Sequence, residues 1–203
     1  MNSKAYEEFI SLIKTNGRMQ GYSPKLLELI NPDEKAETEK LIIDNFSNGD
    51  IEMAVFMPKL TSVDGVKLLK EKLKEYEKPS YAYCQLLYIL YNDTKDNVYL
   101  DSLISILDDD NQDERMNAVM ALLRCPKNEK LYWAFKKGCL NDDSEIIRSR
   151  CAIGMLYCKD IVSNPLRIQP LENKWKDIKI RLYDNDAAVR KKAVEDFESM
   201  ITQ

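Results

Sequence analysis

Residues 140–156 read LNDDSEIIRSRCAIGML. Leucine stands at 140, aspartate two residues on at Asp142, and arginine six further at Arg148; a small residue, Cys151, follows Arg148 by three positions and a large apolar one, Met155, by seven. The same register recurs without insertion or deletion at Leu107/Asp109/Arg115/Ala118/Leu122 and at Leu182/Asp184/Arg190/Ala193/Phe197. A degraded copy, Leu73/Tyr81/Cys84/Tyr88, keeps the offsets but has tyrosine where the others have arginine. A fixed internal register marks a repeat architecture. The intervals are 34 residues from Tyr81 to Arg115, 33 from Arg115 to Arg148 and 42 from Arg148 to Arg190, the last holding an extra loop, SNPLRIQP, at 163–170.

Around each motif the apolar residues fall at helical spacing. Val98, Leu100, Leu103, Ile104 and Leu107 form one such stripe; Leu131, Trp133, Ala134 and Leu140 lead into Ile146, Ile147, Cys151, Ile153 and Met155. Leu171, Trp175, Ile178, Ile180 and Leu182 lead into Val189, Ala193, Val194 and Phe197. Both tryptophans therefore read as core. Predicted helices cover 4–15, 24–30, 33–46, 51–60, 64–77, 80–91, 97–108, 113–124, 128–140, 145–158, 171–183 and 187–201. Asp50, Ser80, Ser144 and Asp186 are candidate N-caps, and Ser23-Pro24 and Asn31-Pro32 place a capping residue before a first-turn proline. Gly17 and Gly49 punctuate the helices, and Pro58 should end or kink its own.

The 203 residues include 44% hydrophobic and 32% charged side chains, which argues for a folded chain. Net charge is -4, unsuited to a general polyanion binder. Residues 1–127 carry 16 Lys+Arg against 22 Asp+Glu, and residues 128–203 carry 14 against 12. Histidine is absent, which removes the commonest general base near neutral pH and the Ser-His and Cys-His nucleophile pairs. The five cysteines form no CxxC pair, so no zinc cluster or redox motif is supported. Cys84 and Cys151 occupy the small position of the repeat and are expected to be buried thiols. The first residues, MNSKAYEEFI, lack the pattern of a signal peptide, and no stretch approaches the length of a membrane span, so a cytoplasmic location is expected.

The pattern L-x-D-x(5)-R-x-x-A-x-x-x-L resembles the HEAT family, in particular the short bacterial HEAT-like repeats also found in phycobilisome lyases. The resemblance covers 97–203 well and 64–91 weakly. It implies an all-α fold, a right-handed α-solenoid of antiparallel helix pairs, as one domain over 1–203 with divergent helices at 1–63 and recognisable repeats at 64–203. It also implies a structural role at the turns for Asp109, Asp142 and Asp184 and for Arg115, Arg148 and Arg190, with the second helix of each pair lining a concave, partner-binding face.

Two features are candidate partner-binding sites. Asp108, Asp110, Asp113 and Glu114, with Asp143 and Glu145 one repeat later, either stabilise helix N-termini through the dipole or form a patch for a basic partner. Counted from Asp108, a calcium loop would need glycine at position six and has Asp113. Tyr81 and Tyr83, in a dense run of tyrosines, suit a contact surface. The expectation is a non-catalytic protein-binding module without metal or cofactor, in its specific form an immunity or antitoxin-type protein blocking a basic toxin or enzyme. The alternative is a HEAT-like DNA-binding protein or alkylated-base DNA glycosylase, and a third reading is a lyase-like chaperone for a bound pigment.

Overall fold

A computed structural model describes residues 3–14 and 24–202; Gly17 and Ser23 lie outside them. The described residues contain helix and no strand. The helices are α1 (Lys4–Lys14), α2 (Lys25–Glu28), α3 (Pro32–Ser47), a 3₁₀ helix (Ile51–Lys59), α4 (Gly65–Leu73), α5 (Tyr81–Thr94) and α6 (Asn97–Ser105, extended by a 3₁₀ turn, Ile106–Asp108). There follow α7 (Gln112–Leu122), α8 (Glu129–Asn141), α9 (Glu145–Cys158), α10 (Asn173–Leu182) and α11 (Ala187–Ile201). The α9 and α11 bounds match the expected ones. The helix expected at 51–60 is a 3₁₀ helix throughout, with Pro58 inside it. The carbonyl of Met57 packs so closely on Gly65 that a Cβ there would lie 1.9 Å from its oxygen, so glycine is needed for α4 to start here.

Caps explain most of the boundaries. The Asp50, Ser80 and Asp186 side chains accept from the backbone N–H of Glu52, Tyr83 and Ala188. Ser144 does not cap α9; its own N–H donates to Asp142 Oδ1 at 2.8 Å. Gly49, at φ 96°, ends α3 in the left-handed region.

Two apolar clusters meet on α5. Its Leu86, Ile89 and Leu90 join Phe9, Ile42, Met53, Phe56 and Met57 in the N-terminal cluster, whereas Cys84, Leu87 and Tyr91 join the cluster built by α6 to α11. A helix apolar on most of its circumference is buried on most of it. Glu39 of α3 is buried and latches the segment after the 3₁₀ helix, accepting from the N–H of Thr61 and Ser62 and from the Thr61 hydroxyl at 2.8–3.0 Å. Burial pushes its carboxyl up, but the hydrogen bonds from Ser62 and Thr61 outweigh it and hold it below its ordinary value.

The order of contacts changes toward the C-terminus. Helix α5 packs on α6 and α7, and α7 packs on α9. The last hairpin meets its neighbour crosswise, with α10 against α9 and α11 against α8. Tyr132 and Lys136 of α8 bond Glu198 of α11 at 2.9 and 2.6 Å, while Arg190 at the start of α11 reaches Leu140 near the end of α8. Helices α8 and α11 are therefore antiparallel, and α8 to α11 close into a ring of four.

Cys84 and Cys151 are buried, as are Cys125 and Cys139. Burial raises the Cys84 thiol to about 12. Trp133, expected in the core, is 56% exposed. The buried stripe of α8 is Leu131, Phe135 and Cys139, and at 3.6 residues per turn position 133 lies about 200° from Leu131 and about 160° from Phe135, on the opposite face. Val98, Ile146 and Ile180 of the expected stripes are also exposed, whereas Trp175 packs edge-on against Phe197 at 5.9 Å.

Two stability tests follow. A Cβ on Gly154 would meet the fully buried Phe135 ring at 2.5 Å. Helix propensity alone favours Gly154→Ala by up to about 1 kcal/mol, but overpacking costs about 1–3 kcal/mol, so the urea midpoint should fall; an unchanged or higher midpoint contradicts the packing. Glu39→Gln should lower stability at pH 7 by about 1–3 kcal/mol. Because the folded carboxyl titrates below the unfolded one, its contribution is present above about pH 4 and disappears as pH falls through the depressed value. The substituted protein should therefore lose less further stability on acidification than the parent, as read by denaturation at pH 7, 5 and 3.

Candidate functional site

The site begins with the arginines of the repeat. Arg115, Arg148 and Arg190 are buried, and each closes its own turn. Arg115 Nη1 donates to the carbonyls of Asp109 and Asp110 at 2.9 and 3.1 Å. Arg148 Nη1 donates to those of Asp142 and Asp143, both at 2.9 Å, and Arg190 Nη1 to those of Asp184 and Asn185 at 2.8 and 3.0 Å. These carbonyls follow a helix C-terminus, where acceptors lack intrahelical partners. Each repeat aspartate turns its carboxylate to the backbone: Asp109, Asp142 and Asp184 accept from the N–H two residues on, each at 2.8 Å.

The rest of each guanidinium reaches sideways. Arg115 meets Asp142 through Nε and Nη2, at 2.9 and 3.3 Å, and also bonds Asp143. Hydrogen bonding to Asp142 holds the Arg115 pKa above its ordinary value. Arg148 reaches the Tyr183 carbonyl at 3.3 Å and Asn185 Oδ1 at 2.6 Å. Arg190 reaches back to the Leu140 carbonyl at 3.0 Å. The contact from the first turn to the second thus runs one way, whereas that between the second and third is reciprocal.

Arg115 draws the two acidic turns together. Between them lies a cleft of about 280 Å³, lined among others by Asp108, Asp110, Lys137, Gly138, Asp142 and Asp143. Of the candidate residues, Asp108 is paired with Lys137 at 2.6 Å, and Asp143 with Arg115, its side chain still 87% exposed. Asp113 and Glu145 lie in the first turns of α7 and α9, where the dipole favours acids. Glu114 is half-buried and accepts from Asn117 Nδ2 at 3.3 Å. Asp110, Asp113 and Glu145 are exposed, and among the described residues no cation pairs with them. Lys137 carries no repeat signal; its partnership with Asp108 depends on how α8 lies beside the first turn.

The tyrosines are not brought together. Positions 81 and 83 differ by about 200° around α5. Tyr81 is exposed and its hydroxyl donates to Glu52 of the 3₁₀ helix. Burial, then this hydrogen bond, raises its pKa to about 12. Tyr83 is half-buried against Tyr76, with ring centroids 6.4 Å apart. Where the repeat replaces arginine with tyrosine, the lateral contact survives but points toward the N-terminus. Arg124, not singled out by the sequence, donates to Gln85 at 2.8 Å and lies over the Tyr88 ring at 6.0 Å, tying the end of α7 to α5. Among the described residues, no group of three Cys, Asp or Glu side chains is arranged to hold a metal.

The ladder makes a graded prediction. Asp142 has 6% of its side chain exposed against 87% for Asp143. Arg115→Ala and Asp142→Ala should each cost about 2–4 kcal/mol, Arg115→Lys should rescue little because lysine lacks the planar fork, and Asp143→Ala should cost under about 1 kcal/mol. Chemical denaturation of the four variants checks this order; equal costs at 142 and 143 contradict it. Comparison of the chain with models of known families, with curated proteins and with solved structures finds no match.

Proposed function

We propose that this chain is a non-catalytic protein-binding module: a short HEAT-like series of stacked helix pairs, closed at its C-terminal end by the crosswise α10–α11 hairpin, whose acidic edge engages a basic partner protein. The family reading rests on the repeat motif. The partner reading is supported by one observation above the others, the cleft between two acidic turns that Arg115 fixes side by side. Around it acids outnumber cations, and Asp110, Asp113 and Glu145 are exposed and, among the described residues, without a cation partner. Such a preformed negative edge speeds encounter with a positive surface. An immunity-type protein that covers the basic cleft of a nucleic-acid-cutting toxin is the specific form this takes.

The alternative, a HEAT-like DNA-binding protein or alkylated-base glycosylase, gains the exposure of Trp133, whose ring has Lys136 Nζ 4.6 Å from its centroid. Retention on heparin at low salt separates the two: flow-through favours a basic protein partner, and strong retention favours nucleic acid.

The acidic edge is tested by charge reversal at its exposed positions, with thermal midpoints measured alongside because Asp113 and Glu145 also sit at helix N-termini. Asp110→Lys, Asp113→Lys and Glu145→Lys combined should slow association with the cognate partner by roughly tenfold at low ionic strength, with the difference shrinking as salt screens it. Surface plasmon resonance across a salt series measures both. An unchanged rate and salt slope would remove the acidic edge from the interface.

A further inference from the structure

The inserted loop at 163–170 is the largest departure from the repeat, and it builds a second cleft. Of about 110 Å³, this cleft has a floor that includes Ile153, Leu156 and Val162 and a rim carrying Arg150 of α9, Arg167 of the loop and Lys179 of α10. No acid lines it. The loop is braced from within: Gln169 Oε1 accepts from the N–H and hydroxyl of Ser163, its Nε2 donates to the Asn164 carbonyl, and Asn164 Oδ1 accepts from the Leu166 N–H at 3.0 Å. Val162 and Pro165 are buried and anchor its first half. Its tip is held out into solvent, with Leu166 44% and Ile168 106% exposed.

The rim cations differ from most of their neighbours in pairing. Lys127, Lys130, Lys136, Lys137 and Lys159 each have a carboxylate partner, as do Lys174, Arg181 and Lys192. Arg150, Arg167 and Lys179 have none among the described residues; nor do Lys176 and Lys191, but these two do not line the cleft, whereas the first three share its one small opening. Like charges gathered without a counter-ion repel, and an arriving anion relieves this. The ligand must also cover exposed aliphatic side chains, which a plain inorganic anion cannot do. The cleft is small, about 110 Å³, and suits a side-chain-sized anchoring group. Among the described residues no aromatic ring lines the cleft, so a nucleic acid would find cations there without a stacking platform.

We propose that this cleft is a docking site for an acidic, apolar peptide segment of a partner protein, a carboxylate side chain inserted among Arg150, Arg167 and Lys179 with a neighbouring aliphatic side chain against Leu166 and Ile168. The site is opposite in sign to the acidic edge and stands independently of it. Arg150 and Arg167 supply forked donors suited to a carboxylate, and Lys179 a third, point-like charge.

The test is fluorescence anisotropy with labelled, end-blocked hexapeptides titrated up to millimolar protein. The acidic apolar probe is Ala-Leu-Glu-Ile-Asp-Ala, its neutral isostere Ala-Leu-Gln-Ile-Asn-Ala, and its polar counterpart Ala-Ser-Glu-Ser-Asp-Ala; a labelled single-stranded dodecanucleotide is the fourth. The first should bind most tightly, with an affinity that falls as salt rises. Arg150→Gln, Arg167→Gln and Lys179→Gln combined should weaken it by roughly tenfold or more, with helical content and thermal midpoint unchanged. Leu166→Ser with Ile168→Ser, both at exposed positions, should weaken it while leaving the polar acidic probe unaffected. Equal binding of the neutral isostere, insensitivity to the rim substitutions, or absence of binding at millimolar protein would overturn the proposal. Tighter binding of the oligonucleotide, lost in the rim variant, would replace it with a nucleic-acid site.

Discussion

The guanidinium of the repeat arginine is the constraint on which the rest of the C-terminal half depends. It is planar and carries its donors in a fixed fork, so one edge can face one turn while the other faces a different turn. In Arg115, Arg148 and Arg190 the Nη1 edge takes the carbonyls six and five residues earlier. That offset fixes the length of the turn, which is why the Leu-Asp-Arg register tolerates no insertion. The remaining donors are then aimed outward, and whatever hairpin comes next must offer acceptors in that direction.

Which acceptors it offers decides how the hairpins assemble. Asp142 meets Arg115 with both carboxylate oxygens, and the contact is not returned: Arg148 reaches forward to Tyr183 and Asn185. At the next junction Arg190 reaches back to Leu140, so the contact is mutual. A one-way contact leaves the next hairpin's arginine available to continue the series. A mutual contact uses both arginines at one junction and closes it. The longer interval before α10, which contains the braced 163–170 loop, gives the chain the length to bring its last hairpin round in the opposite sense. Helix α11 then lies on α8, sealed by Glu198 with Tyr132 and Lys136.

What was legible in the sequence is what depends on local geometry. Helical spacing gives α9 and α11 their bounds, and the motif locates the turns because backbone capping by Asp142 and turn closure by Arg148 act within a few residues of each other. Burial of Cys84 and Cys151 follows from the same register. Three-dimensional neighbours were not legible. Trp133 reads as core because apolar residues crowd around it, yet which face of α8 is covered depends on where α11 and α9 come to rest. Ser144 reads as a cap because of its type, but Asp142 already holds its N–H. The 3₁₀ conformation of Ile51–Lys59 and the approach of its Met57 to Gly65 are not encoded by any periodicity. Among the candidate site residues, the juxtaposition of the two acidic runs follows from the repeat, whereas the separation of Tyr81 from Tyr83 follows from helical geometry that outweighs their closeness in sequence.

Charge pairing supplies the same test for both candidate surfaces. A surface ion pair contributes little stability, but it removes both members from the set that meets a partner, since each must first be released. By this criterion the acidic edge is smaller than its composition suggests: Asp108 belongs to Lys137, and Asp143 shares Arg115 with Asp142. Among the described residues what is left is Asp110 at the cleft, with exposed Asp113 and Glu145 and half-buried Glu114 in the helix turns that follow it. Residues 128–203, with 14 Lys+Arg against 12 Asp+Glu, are nearly balanced in sequence, yet three cations without a carboxylate partner among the described residues, Arg150, Arg167 and Lys179, share one place, the mouth of the 163–170 cleft. Arg150 stands on α9, Lys179 on α10 and Arg167 on a loop with its own hydrogen-bond frame, so the fold sets all three backbones beside one opening. Net charge therefore describes neither surface: the pairing pattern leaves one chain with a negative cleft at its turns and a positive one beside its inserted loop.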